Sequence, residues 1–319
     1  MIKDYKIIKE LGQGLFGTVY LVEKNGKNYA LKVEHILEKD VEKNLRSPLW
    51  REIDFFSNFA SKHKDQFIQL IEHDIIKNCE HKQKQNKNVP NATKNLVKSL
   101  SQSRYCSRKI YTLIDDVIAT INPNLNEIYS IIAQAVYAAY QMNKAGYVHM
   151  DLHLGNIGFV NTKDKFIKIF GKDVPTFGRK VQLIDFGFVL NRKYEMTANE
   201  NNLYKIGLDK EIFSLLSIMT VDMRDLWSQI PKEMDYYYLL DQFEKTEEYE
   251  LLRNIIDDKH YRFYLYRIVY NEKFQQSIFG KKHKIIPIFI FVPIDDIIYI
   301  LRSSDKPKDI INYFISKIL

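Results

Sequence analysis

Apolar and polar residues alternate with a period of two through the first part of the chain, the signature of half-buried strands. Tyr5 to Leu11, Thr18 to Glu23 and Asn28 to Val33 read as three strands, with a glycine-rich turn between the first two. Asn25-Gly26 marks a two-residue hairpin, since both central positions of that turn need positive φ. The period then changes. Ser47-Pro48 has the form of an N-cap followed by proline at the first helical position, and Glu52, Phe55, Phe56 and Phe59 follow at spacings of three and four. Phe67 to Ile76 reads as another strand, and Ile110 to Ile114 as the next.

Residues 77–109 differ in kind, being rich in Lys, Asn, Gln and Ser with almost no apolar periodicity before Leu96. They read as a polar insertion between two strands, a solvated loop in preference to a basic binding arm. Asp115-Asp116-Val117 is then a short connection. Leu125, Ile128, Ile132, Val136, Ala139 and Tyr140 trace one long helix, stopped by Gly146 as its C-terminal cap. Strand signals fade after Gly187, and residues 205–319 read as mainly helical. Tyr236, Tyr237 and Tyr238 are read as packing. The apolar run Ile285 to Ile294, with Pro287 and Pro293, is too short to span a bilayer and reads as core. No internal repeat is found. The pattern predicts an α+β fold, with a small strand-rich part over residues 1–116 and a larger helical part over 117–319.

Composition changes this picture little. The 319 residues are 45% hydrophobic, enough for a sizeable core. A net charge of +7 is a modest excess, unaccompanied by any nucleic-acid-binding signature. Cys79 and Cys106 have neither CxxC nor zinc spacing, and both flank the insertion, so free thiols in a reducing compartment are expected. The opening MIKDYKIIKE lacks the apolar stretch of a signal peptide, which predicts a soluble intracellular protein without a membrane segment.

Five separated motifs carry chemistry. Gly12, Gly14 and Gly17, followed by Val19, form a GxGxxGxV loop between strands, where glycines let backbone N–H groups approach phosphate oxygens; an ordinary hairpin is the alternative. Lys32, in Tyr29-Ala30-Leu31-Lys32, is a cation in an apolar strand and suits the α- and β-phosphates if a carboxylate holds it; a surface lysine on an edge strand is the alternative. Glu52 on the following helix is the expected partner. Asp151, with Asn156 five residues on, supplies a carboxylate for a hydroxyl proton and an oxygen for Mg²⁺. His149 reads as a core histidine in preference to half of a zinc pair with His153. Asp185, in Ile184-Asp185-Phe186-Gly187, adds a hard oxygen donor for Mg²⁺.

With these motifs in this order, residues 5 to 220 resemble the eukaryotic-type protein kinase superfamily. The resemblance implies a bilobal fold in a single domain spanning 1–319, with ATP under Gly12–Gly17 and Lys32 paired with Glu52. It implies Asp151 as catalytic base, Asn156 and Asp185 on Mg²⁺, Ile114 as gatekeeper, and Asp115 to Val117 as the hinge contacting adenine. Leu11, Val19 and Ala30 complete the implied nucleotide site. More narrowly, VHMDLHLGNIGF, VPTFGRKVQLIDFG and the Lys/Asn-rich composition resemble serine/threonine kinases of large nucleocytoplasmic DNA viruses, such as the mimivirus-like group. That implies a protein substrate and work in the infected host cytoplasm or the virion.

The departures are Met150 where many kinases carry Arg, His153 in place of a lysine, and no APE motif, with no proline from Thr176 to Ile230. The DLHxGN form also resembles small-molecule kinases of the aminoglycoside and choline type, and a non-catalytic scaffold is a third reading. Asp209 and Glu211 are both candidates for the buried acid of the following helix. The segment around Phe166–Phe177 must lie outside the site.

Overall fold

Antiparallel pairing of the alternating segments builds a five-stranded sheet with the order β1-β2-β3-β5-β4. Its strands are β1 (Lys6–Gln13), β2 (Gly17–Lys24), β3 (Lys27–Ile36), β4 (Leu70–Lys77) and β5 (Tyr105–Tyr111). The computed structural model describes residues 2, 4–14, 17–79, 94–121, 123–222, 245, 289–290, 299, 303 and 306–318. Tyr236 to Tyr238 lie outside the described residues, as does most of the run 285–294. Asn25 and Gly26 take φ of 53° and 72°, the geometry predicted for the β2–β3 hairpin.

The polar insertion is shorter than expected. A helix α2 (Lys94–Ser101) and the start of β5 at Tyr105 both fall inside residues 77–109. The strand begins among polar residues because its inward positions, Ser107 and Lys109, are buried and charged or polar, which hides the strand in the hydrophobic pattern. Cys79 and Cys106 are joined in a disulfide, correcting the expectation of free thiols. Close approach of the two chain segments decides this, since Cys79 N–H donates to Arg104 O at 3.0 Å just before β5.

Helix α1 (Pro48–Asn58) crosses the sheet with Glu52, Phe55 and Phe56 buried, and Phe59 buried just beyond its end. Ser47 has the extended backbone of a cap, but its buried hydroxyl makes no hydrogen bond; Asn44 Oδ1 accepts from Ser47 N–H instead, at 3.1 Å. Phe186 is fully buried against α1, its ring stacked on Phe55 at 4.3 Å and lying 4.7 Å from His149. Each such ring contributes about 2 kcal/mol by burial.

The second part centres on α3 (Leu125–Lys144). Asn124 caps it, with Glu127 returning the hydrogen bond in a capping box, and Gly146 ends the turn with φ of 77°. Strands β6 (Asp116–Val117), β8 (Ile157–Asn161) and β11 (Arg179–Leu183) form a small sheet in the order β11-β8-β6. β7 (Tyr147–Val148) pairs with β12 (Leu190–Asn191). β9 (Phe166–Ile169) and β10 (Lys172–Pro175) form a hairpin whose Phe170 meets Tyr137 and Tyr140 of α3, so this segment does pack away from Asp151 and Asp185. Helices α4 (Ala198–Thr220) and α5 (Pro307–Ile318) complete this part, with Phe314 of α5 against Tyr129 of α3. A short pair, β13 (Val221–Asp222) with β14 (Phe289–Ile290), follows α4.

Backbone hydrogen bonds and ion pairs also join the parts. Leu183 N–H donates to Gln66 O and Ile68 N–H to Leu183 O, at 2.9 and 3.2 Å. Arg51 of α1, 3% exposed, pairs with Glu200 at 2.5 Å, while Asp54 accepts from Lys193 and the Tyr194 hydroxyl at 2.7 and 2.8 Å. The architecture is thus mixed α and β, strand-rich first and helical later. Among the described residues, no helix is long and apolar enough to cross a membrane.

Candidate functional site

Alternation along β3 sends Lys32 and Glu34 to the face covered by α1, and Leu31, Val33 and His35 to the other. Lys109 of β5 is the register partner of Lys32, so both ammonium groups emerge on the same face. Lys32 Nζ contacts Glu34 Oε1 at 2.8 Å and Asp185 Oδ1 at 2.9 Å. Lys109 Nζ contacts Glu34 Oε2 at 2.6 Å and Glu52 Oε2 at 2.5 Å, and the Tyr111 hydroxyl donates to Glu52 Oε1 at 2.6 Å.

The expected Lys32–Glu52 pair is therefore not formed. Two neighbouring cations compete for the carboxylates; Glu34 lies between and accepts from both, which leaves Glu52 to Lys109. Sequence reasoning missed Glu34, Lys109 and Tyr111. Their signal is a charged or polar residue recurring two positions on, Lys32 then Glu34 in one strand and Lys109 then Tyr111 in the other.

Electrostatics follow from this array. Burial alone would raise the Glu34 pKa, but Lys109 and Lys32 outweigh it and hold the carboxyl at about 2. Burial works against the charge on Lys32, yet Glu34 and Asp185 keep its pKa well above the usual lysine value. Asp185 is likewise held below its ordinary value, Lys32 overcoming the effect of burial.

A second cluster grows from the segment after β7. His149 is fully buried; its Nε2 donates to Ile184 O at 2.9 Å and its Nδ1 accepts from Asp151 N–H at 3.3 Å. Burial lowers its pKa to about 4, so the imidazole is neutral and structural, as the sequence suggested. Met150 has φ of 70°, costly for a side chain with a Cβ. Glu211 of α4 holds that turn, accepting from Met150 N–H at 2.9 Å, His149 N–H at 2.6 Å and Asn143 Nδ2 at 2.9 Å. The open choice between Asp209 and Glu211 thus resolves to Glu211 for this role. Burial raises its pKa to about 7.

Asn156 Nδ2 donates to Asp151 O at 2.8 Å and Asp151 Oδ2 at 3.3 Å, and the Asn156 main-chain carbonyl accepts from Ile184 N–H at 3.0 Å. Asp151, Asn156 and Asp185 are thereby brought together. Asp185 has φ of 60°. Burial raises the Asp151 pKa, with Asp185 adding to the rise and His153 opposing it. His153 Nε2 lies 3.9 Å from Asp151 Oδ2, and its Nδ1 accepts from Gly155 N–H at 3.1 Å.

No family model and no curated protein sequence matches the chain. The geometry is the chain's own.

The remaining predicted positions divide. A Cβ on Gly17 would meet Val33 O at 2.4 Å, so that glycine is needed for strand approach, whereas Cβ atoms on Gly12 and Gly14 would meet no atom of the described residues closer than 3.9 Å. A cavity of about 940 Å³ takes in Gly14, Gly17, Val19, Lys32 and Asp185 and extends to the start of α1 at Ser47. Leu11, Ala30, Ile114, Asp115, Val117, Asp151 and Asn156 do not line it. Leu11 is exposed and Ala30 buried. Ile114 fits against Gly158, where a Cβ would meet its Cδ1 at 2.8 Å. Asp115 N–H donates to Phe159 O at 2.9 Å and Val117 N–H to Asp116 Oδ1 at 2.8 Å, so these two expected adenine donors are engaged within the chain.

Proposed function

We propose that the chain is an ATP- and magnesium-dependent phosphotransferase of bilobal protein-kinase fold, acting on serine or threonine hydroxyls of a protein substrate. Residues 1–116 would be the small lobe and 117–319 the large lobe of one domain. The observation that carries the reading is the Lys32–Asp185 contact at 2.9 Å, made across 153 residues of sequence and beside the Asp151–Asn156 pair.

The donor set fits the ligand. Carboxylate and amide oxygens of Asp185 and Asn156 suit a hard cation, and the Lys32 ammonium suits phosphate. Three carboxylates, Glu34, Glu52 and Asp185, face only two ammonium groups, Lys32 and Lys109, which leaves negative charge for a cation to neutralise. Among the described residues, no atom lies closer than 3.9 Å to a Cβ position on Gly12 or Gly14, which leaves room for phosphate oxygens to approach the backbone. Bound Mg-ATP supplies the transferable phosphoryl group and the positive charge that offsets its movement.

Within this proposal, Lys32 holds the phosphates and is itself positioned by Glu34. Asp185 and Asn156 hold Mg²⁺. Asp151 orients the acceptor hydroxyl and takes its proton on the carboxylate, whose raised pKa suits a base better than an ordinary aspartate. His149 and Glu211 fix the backbone on which Asp151 stands. Val19, which lines the cavity, supplies an apolar contact to adenine, while Leu11 and Ala30 lie outside that lining. The viral resemblance extends the proposal to a protein working in the infected cell or virion.

The test is transfer of radiolabel from Mg-ATP to a generic basic protein or to the chain itself. Lys32→Met and Asp151→Asn are expected to abolish transfer with the circular dichroism spectrum unchanged. Full transfer by folded Asp151→Asn would sink the mechanism. A second reading, a small-molecule kinase, draws on His153 lying 3.9 Å from Asp151. Label appearing on amino-alcohol or aminoglycoside acceptors, and not on protein, would select it.

A further inference from the structure

On the face of the sheet opposite Lys32, three metal-ligating side chains meet. His35 and Cys106 are register partners across β3 and β5, and Cys79 follows the end of β4. One ligand atom from each lies within 4.8 Å of the others. Cys106 is fully buried, His35 is 7% exposed, and their surroundings are Val22, Leu31, Val33 and Ile110. We propose that, once the Cys79–Cys106 disulfide is reduced, His35, Cys79 and Cys106 form a binding site for a thiophilic d¹⁰ cation of the zinc type.

Geometry carries the proposal. Zinc bonds of about 2.3 Å to sulfur and about 2.0 Å to nitrogen, at tetrahedral angles, set a nitrogen and a sulfur about 3.5 Å apart. His35 Nδ1 and Cys106 Sγ are separated by 3.5 Å. Two thiolates on the same ion stand about 3.8 Å apart by the same arithmetic. Reduction frees the half-buried Cys79 side chain to turn away from Cys106 toward that spacing.

The chemistry balances with a dithiol reductant. The reductant gives two electrons and two protons to the S–S bond, yielding two thiols, and is itself oxidised to a disulfide. Cation binding then releases both thiol protons and leaves the imidazole neutral. Three protein ligands leave a fourth position for water. The ion would clamp β3, β4 and β5 from outside, one residue from Glu34 and three from Lys32. Its presence is independent of phosphoryl transfer.

The experiment uses the full chain, reduced anaerobically, equilibrated with zinc chloride, desalted and assayed for zinc by elemental mass spectrometry. The reduced wild type is expected to retain one zinc per chain and the oxidised wild type none. Cys79→Ser and His35→Ala, checked for folding by near-ultraviolet circular dichroism, are expected to lose it. Cys79→Ser removes a half-buried ligand, which keeps the test open if variants at buried Cys106 fail to fold. Reduced, folded wild type without zinc overturns the proposal. So does undiminished zinc in both variants, which would place the metal elsewhere.

Discussion

Glu34 in the sheet and Glu211 in the helical part are both shielded carboxylates, with 15% of the side chain and 7% of the residue exposed, yet they are held by opposite means. Glu34 is flanked by two ammonium groups and stays ionised, its pKa at about 2. Glu211 meets only neutral donors, two backbone amides and one side-chain amide, and burial lifts it to about 7. Neutral hydrogen bonds shape the turn at Met150 without repaying the desolvation of a full charge, while cations in the sheet do repay it. The sheet is thus built to keep charge beside Lys32, and the helical part to hold backbone geometry beside Asp151.

Removing the shared cation should break this contrast most severely. Lys109→Met leaves Glu34 and Glu52 buried without their common partner, and a loss of about 3–5 kcal/mol is expected in urea unfolding at neutral pH. Part of that loss should vanish at low pH, because Glu34 without Lys109 takes up a proton more readily.

Glu211 should give the next largest effect, with the opposite pH sense. Its folded pKa lies above its unfolded value of 4.5, so its contribution is full below pH 4.5 and fades as pH rises through about 7. That trend amounts to about 3 kcal/mol, and it should flatten in Glu211→Gln when unfolding is followed between pH 5 and 8. For Glu34 the folded pKa is depressed, and stability is present above pH 4.5 and lost as pH falls toward about 2. A wild-type-minus-variant stability difference with the same pH sense for Glu211→Gln and Glu34→Gln would refute the comparison.

Asn143→Ala removes one neutral donor from Glu211, for an expected loss of about 1–2 kcal/mol. It should also move the midpoint of the Glu211 pH dependence further upward. The surface pair Arg46–Glu195 is the reference at the bottom of the scale. Both side chains are mostly in water, and Arg46→Ala should leave the unfolding midpoint unchanged.

Much of the fold was legible because the local signals agree with the tertiary ones. Asn25-Gly26, the Phe55–Phe56–Phe59 stripe and the Leu125–Tyr140 period each specify an element that the core then uses. The motif residues Lys32, Asp151, Asn156 and Asp185 were legible too, and the structure brings them together. What escaped had its cause in pairing across strands. Placing the start of β5 at Ile110 instead of Tyr105 left Lys109 in a loop, and with it the competitor for Glu52. The facing of His35 and Cys106 is a matter of register, which spacing along one chain does not encode. The choice of Glu211 over Asp209 rests on the contacts that Glu211 makes with the segment after β7, which spacing along the chain does not encode.

Phe186 has a consequence for timing. It stacks on Phe55, touches Phe56, Phe67 and His149, and precedes the turn at Gly187. Lifting α1 from the sheet would wet this ring, and so would swinging the turn outward. Neither movement is separable from the other, so α1 and the segment carrying Asp185 form one cooperative opening unit. Their amide protons are expected to exchange with solvent at a common free energy of opening, with Glu52 and Asp185 released together.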